Sequence, residues 1–235
     1  MPIGVLIDVF SVVLGGLAGS LVGGRLSDSL KNAMNTIFGL CAMCMGISAV
    51  VLMENMPAVV FSVILGTLLG LALNLGCAIR TGSGKLLEKV MKGADPEAEE
   101  LMLTAVVLFC ASGTGIYGAL DAGMTGNHSV LITKAVLDFF TAMIFACKLG
   151  KATAFIGVPQ FLVLIVLYAL AKVIVPLTTP AMIGDFKACG GFLLVATGLR
   201  MMQVRQFPVA DMIPAMVLVM PVSYAWAAWL LPLVG

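Results

Sequence analysis

The sequence predicts an all-α, polytopic membrane protein, and three observations carry that prediction. Of its 235 residues, 61% are apolar and only 11% are charged, whereas a soluble domain carries roughly 25% charged residues. Mean hydropathy is +1.12, more apolar surface than a soluble fold of this length has interior to hide. Runs of about 20 apolar residues recur along the chain, each long enough to cross a hydrocarbon layer as a helix. Alternating strands with turns about every ten residues, the mark of an outer-membrane barrel, are not seen in the pattern. The net charge of +1 argues against a nucleic-acid partner held by bulk electrostatics. The expected surroundings are a lipid bilayer.

About eight spans can be drawn, over residues 3–24, 33–53, 57–79, 101–120, 130–149, 157–178, 188–204 and 209–233. The first has no basic stretch before it and contains Asp8, so it reads as a retained helix rather than a cleaved signal. Its Gly15, Gly19 and Gly23, with Gly16, Ser20 and Gly24 on the adjoining row, let another backbone approach closely, as do Gly66 and Gly70 of the third span. These rows predict tight packing within the chain or in a homodimer. The connection 80–100 places Leu86, Leu87, Val90 and Met91 among Lys85, Lys89 and Lys92, the pattern of a short amphipathic helix on anionic headgroups. Asp95, Pro96 and Glu97 then predict a helix start.

Orientation follows from the basic residues. Arg25, Lys31, Arg80, Lys85, Lys89, Lys92, Lys148, Lys151, Arg200 and Arg205 fall in connections on one side, ten of the thirteen lysines and arginines. The opposite connections hold Glu54, Asp121, His128, Asp185 and Lys187. The first set is expected to be cytoplasmic, with both termini outside. The chain is expected to form a single membrane domain, 1–235. Its parts are a three-helix unit over 1–80, the connection 81–100, a central pair over 101–150 and a second three-helix unit over 155–235. Gly39 and Gly46 in the second span and Gly191 and Gly198 in the seventh share a seven-residue spacing. With two helices between the copies, the second would start from the opposite face, an inverted repeat of the kind found in transporters.

The residues that could carry chemistry lie in the central pair. Ser112, Gly113, Thr114, Gly115, Tyr117 and Gly118 weaken a helix near the middle of its span. An unwound backbone is tolerated at that depth only beside protein or a wet cavity. Lys134 and Asp138 are four apart in the fifth span and share a helix face. Ionisable groups inside an apolar run are costly, which marks them as functional. Asp121 could close the outer mouth of the same cavity, and Asp8 and Asn74 are secondary candidates. Lys172 is expected to snorkel outward and His128 to lie in an interfacial loop, while Tyr224, Trp226 and Trp229 suit an interface belt. Cys41 and Cys44 read as packed thiols rather than copper ligands. No enzyme signature, metal site or cofactor motif is found.

The Gly15-Gly16…Gly19 opening, the Gly39…Gly46 helix, and Phe109-Cys110 followed by Gly115, Gly118, Asp121, Gly123, Gly126, Leu131, Lys134 and Asp138 resemble a bacterial inner-membrane family of unknown function. Gly190, Gly191, Gly198 and Leu199 are similar to its late segment. The resemblance covers nearly the whole chain and implies the same fold and location. It assigns no activity, and Asp8 departs from the Asn the family favours there. The expected function is a secondary transporter or channel for a small polar or charged solute or ion. In it, Ser112–Gly115 would offer backbone hydrogen bonds, Lys134 would hold a negative group, and Asp138 or Asp121 a coupling cation or proton. The alternative is a non-transporting membrane partner or scaffold subunit.

Overall fold

A computed structural model describes residues 1–22, 27–90, 96–110 and 112–234. Every regular element among them is helical: α1 (Ile3–Val22), α2 (Asp28–Val50), α3 (Met56–Ala72), α4 (Leu75–Val90), α5 (Pro96–Cys110), α6 (Gly113–Thr125), α7 (Ser129–Leu149), α8 (Gly157–Ile174), α9 (Pro180–Met201), α10 (Pro214–Ala225) and α11 (Leu231–Val234). Gly23, Gly24, Arg25, Met91, Lys92 and Asp95 lie outside the described residues. Among the described residues, five helical stretches are long and apolar enough to cross a bilayer, six if the bent pair Met56–Ala72 and Leu75–Gly82 counts as one. One of the five, Ser129–Leu177, runs 49 residues and contains both α7 and α8, far more length than one crossing needs.

The helices carry two unlike faces, as lipid on one side and protein on the other require. In α1, Leu6, Phe10, Leu14, Leu17 and Leu21 are exposed, while Val5, Asp8, Val12, Gly15 and Gly19 are buried. In α8, Val158, Leu162, Val166, Leu170 and Val173 are exposed, while Gln160, Leu164, Tyr168 and Ala171 are buried. Both stripes recur every three to four residues, the period of one helix face.

The chain divides into two compact units interleaved along the sequence. The first comprises Met1–Ile37 and Cys77–Val173. In it α1 lies against α7 at backbone distance: a Cβ on Gly15 or Gly19 would strike the backbone of Phe139 or Met143. One on Gly16 would come 2.8 Å from Ala154 N, in the 3-10 turn Gly150–Ile156 that links α7 to α8. A core of Val12, Met102, Ala105, Phe109, Ala142 and Ile156 fills the space beside this contact.

The second unit comprises Phe38–Gly76 and Ile174–Gly235. Here Gly66 and Gly70 of α3 sit on the backbone of Ala215 and Asp211. Helices α2 and α9 cross glycine to glycine. A Cβ on Gly39 would meet Gly198 O at 2.7 Å, and one on Gly46 would meet Gly191 O at 2.7 Å. The contacts are reciprocal, since Gly191 meets Gly46 O at 2.6 Å and Gly198 meets Gly39 O. The described glycine rows are therefore used inside the chain, where close backbone approach adds dispersion contacts that apolar lipid cannot replace.

Three expectations about elements are corrected. The third span is not one helix: α3 ends at Ala72 and α4 begins at Leu75, with a bend of 54° between the two segments. Asn74 makes that bend with φ 49, a left-handed backbone that Asn tolerates better than most residues. The seventh span begins eight residues before the expected position 188, because Thr179 caps α9 with its hydroxyl on Met182 N and Pro180 takes the first turn. Asp185 and Lys187 consequently lie within α9, not in an outer loop. The connection after the third span is helical through Val90, and α5 starts at Pro96 as predicted.

Candidate functional site

The four-residue spacing of Lys134 and Asp138 on α7 does put them side by side, and the Lys134 ammonium donates to Asp138 Oδ2. It also donates to Asp8 Oδ2 of α1 at 3.0 Å. The α1–α7 glycine contact makes this second bond possible, since without side chains at Gly15 and Gly19 the two helices come close enough for Asp8 to reach across. From α8, Gln160 Nε2 donates to the same two oxygens, at 2.9 Å to Asp8 and 3.1 Å to Asp138. Lys134 and Gln160 thus bridge one pair of carboxylates from two helices. Asp8 and Gln160 are fully buried and Lys134 is 2% exposed.

The interrupted helix lies against this cluster. Helix α5 stops at Cys110 and α6 starts at Gly113, with Ser112 between them in extended conformation, φ −73 and ψ 142. Ser112 caps the new helix. Its Oγ accepts from Gly115 N at 3.1 Å and its carbonyl from Ile116 N at 3.0 Å, satisfying two of the amides that a helix start leaves over. A Cβ on Gly115 would lie 3.1 Å from Lys134 Cε. The first turn of α6 therefore passes the lysine, and its positive end, about half an elementary charge, partly offsets the two carboxylates. Phe109 closes the other side, its ring centroid 6.0 Å from the ammonium.

Of the residues singled out from the sequence, Ser112, Gly115, Lys134 and Asp138 come together, Asp8 joins them at the centre, and Gly113 is the first residue of α6. Thr114, Tyr117 and Asp121 are buried in α6, where Asp121 Oδ1 accepts from Thr125 Oγ1 at 3.1 Å. Asn74 belongs to the second unit and forms the bend described above. Lys172 lies with its ammonium 5.0 Å from the centroid of the Tyr168 ring, on which His128 stacks. Gln160 was missed, because a neutral amide near the start of an apolar run carries no charge signal. Where a hydrated pocket is expected, the cluster is closed, and its most exposed charged side chain, Asp138, is only 13% exposed.

Two features distinguish the cluster chemically. One ammonium faces two carboxylates, so their formal charges sum to a single negative excess. Two acceptors, Asp8 Oδ1 and Gln160 Oε1, are buried without a hydrogen-bond partner, although buried polar atoms are almost always paired.

Long apolar helices with lipid-facing stripes, closed around a buried ionic cluster beside an interrupted helix, define a polytopic α-helical membrane protein. Comparison with known proteins agrees with that class. The family described as "Protein of unknown function (DUF554)" matches residues 3–224, and the chain belongs to it. It is 45% identical to the "Uncharacterized protein YqgA" of Escherichia coli (strain K12) over 97% of this chain and 99% of that protein. It is 27% identical to the "Uncharacterized membrane protein YdfK" of Bacillus subtilis (strain 168), over 86% of this chain and 89% of that one. No solved structure matches the chain.

Proposed function

We propose that this protein is a secondary transporter or channel that moves a small polar or charged solute or ion across the bacterial inner membrane, with both termini outside. One observation carries the reading: a buried Lys134–Asp8–Asp138–Gln160 network packed against the Ser112 interruption between α5 and α6. Ionisable groups at such depth cost several kcal/mol unless paired, and a broken helix beside them is how many carriers expose backbone to cargo. The closed cluster corresponds to an occluded state, and transport requires a second arrangement in which Asp138 faces water.

An inverted repeat supports the same reading. Gly191 and Gly198 follow Gly39 and Gly46 by the interval that separates Gln160 from Asp8, 152 residues. The glycine contacts pair Gly39 with Gly198 and Gly46 with Gly191, the reciprocal pattern of two copies related by a two-fold axis. Two copies pointing the same way would instead pair Gly39 with Gly191. By the same interval, Asp8 and Gln160 are equivalent positions of the two copies, and they touch each other.

The test is flux. Wild-type protein in liposomes should move at least one member of a panel of labelled ions and small polar solutes above the empty-liposome rate. Asp138→Asn should return that flux to background while eluting from gel filtration as the folded protein. Background flux for every solute, in protein shown to be folded, would sink the transport reading and favour a scaffold subunit.

A further inference from the structure

In the side-chain network of the first unit Gln160 uses both N–H groups of its amide and Lys134 two of its three, while two acceptors stay unused. Lys134 and Gln160 both donate to Asp8 Oδ2 and Asp138 Oδ2. Asp8 Oδ1 and Gln160 Oε1, covalently fixed beside the atoms that join the network, receive nothing. What remains over is oxygen acceptors and negative charge.

We propose that Asp8, Asp138 and Gln160 form a binding site for one hard monovalent cation, sodium or a proton, with Asp8 Oδ1 and Gln160 Oε1 as the oxygens that receive it. The site deepens the transport reading given above by naming its cation, but binding itself does not depend on that reading.

Charge and ligand type select this class. An anion would need the Lys134 ammonium, which already holds two carboxylates, and would double the negative excess. A divalent ion would overshoot it, and magnesium demands about six oxygens in octahedral array. Carboxylate and amide oxygens suit hard ions rather than soft ones. A single positive charge brings the formal sum to zero. The positive end of α6 supplies only part of that charge, about half. The groups that face Asp8 are Lys134 and Asp138 from α7 and Gln160 from α8; the Cys110 thiol at the end of α5 lies in the field of the Lys134–Asp138 pair. On α6, Tyr117 and Asp121 are buried and lie in each other's field.

The equivalence of positions 8 and 160 explains the imbalance. A carboxylate stands at one and an amide, one methylene longer, at the other, so the contact between the copies joins two planar polar groups but carries one charge. Two carboxylates there would leave a double excess, and two amides none.

Thermal unfolding of the full-length protein in detergent tests the site without flux. In one arm sodium chloride replaces N-methylglucamine chloride at constant ionic strength; in the other, sodium-free buffer is taken from about pH 8 to about pH 5. Wild-type protein should gain about 5 °C in one arm, which identifies the ion. Asp8→Asn should abolish that response and unfold at or above the temperature of the cation-free wild type. The exchange Asp8→Gln with Gln160→Asp keeps charge and oxygen count and should retain the response. Gln160→Leu, which leaves every charge in place, should raise the half-saturating concentration by about tenfold. A wild type indifferent to both arms overturns the proposal, as does Asp8→Asn responding like wild type. A response without flux would instead remove only the transport reading.

Discussion

Asp185 and Asp8 are both sealed from solvent, one in each unit, yet they are held in opposite ways. In the second unit Asp185 Oδ1 accepts from the amides of Glu54 and Asn55 at 2.9 and 2.8 Å. Its Oδ2 accepts from Asn55 Nδ2 at 2.9 Å and Ser223 Oγ at 2.6 Å. Four donors surround it, two of them amides at the start of α3. That helix end, positive by its dipole, supplies favourable charge as well as hydrogen bonds. Asp185 thus ties α9, α10 and the start of α3 together, and nothing is left over. In the first unit Asp8 shares its donors with Asp138, keeps one oxygen without a partner, and belongs to a set with excess charge. Burial of an acid therefore does not by itself mark a functional site. The distinguishing feature is whether each buried acceptor finds a donor: both Asp185 oxygens do, whereas Asp8 Oδ1 and Gln160 Oε1 do not.

That distinction predicts different responses to matched substitutions. The largest effect should follow from Lys134→Met, which leaves two carboxylates buried with no ammonium between them. About 3–5 kcal/mol of stability should be lost, the usual cost of orphaning a buried charge. Adding Asp8→Asn and Asp138→Asn should recover most of it, because a neutral network of the same shape needs no ammonium. Chemical denaturation of the three proteins in micelles measures both steps, and a triple variant no more stable than Lys134→Met would show that the lysine acts by packing rather than by charge.

Next in size is Asp185→Ala, which strips partners from four donors, two of them backbone amides at the head of α3. A loss of about 3 kcal/mol is expected. The sharper comparison is with asparagine. Asp185→Asn would turn an amide toward Asn55 Nδ2 and Ser223, and should still cost about 2 kcal/mol, whereas Asp8→Asn removes only the surplus charge and should cost nothing relative to the cation-free wild type. Equal losses at the two positions would erase the difference between the sites.

Much of the first site was legible because its signals are local. Lys134 and Asp138 lie one helical turn apart in an apolar run, and the Ser112–Gly118 stretch advertises a weak helix within a few residues. The partners that complete the site are not local: Asp8 and Gln160 reach it across sequence separations of 126 and 22 residues, Asp8 through the close α1–α7 approach and Gln160 through the turn that leads from α7 into α8. Asp185 was misread for the same reason in reverse. A carboxylate beside Gly184 and Lys187 looks like a loop, and its four donors lie 130 or 131 residues earlier or 38 later. That the chain forms several long apolar helices was readable from length and hydropathy, while the bend at Asn74 depends on one residue's backbone and leaves no trace in hydropathy. The glycine spacing suggested a repeat, but not that the two copies of that spacing face each other.

The glycine crossing of the second unit offers a smaller and more symmetric test. Gly46→Ala and Gly191→Ala each place a methyl group within 2.7 Å of the other glycine's carbonyl, where backbone must move. Each should cost about 2 kcal/mol, within the range for overpacked sites, and reciprocal contact requires the two losses to match. Unequal losses would mean that only one helix is fixed by the rest of the unit.

The smallest effect has the opposite sign. Gly82, exposed in α4, has nothing within 4 Å of its would-be Cβ. Gly82→Ala should therefore add about 0.5–1 kcal/mol, the ordinary helix preference of alanine over glycine. It is the control for the crossing: the same methyl group is added to the same kind of backbone, with a carbonyl in its way at Gly46 and Gly191 and open space at Gly82. If Gly82→Ala lost as much as the other two, the cost would belong to alanine at a helical glycine in general, and close approach of α2 and α9 would no longer be needed to explain it.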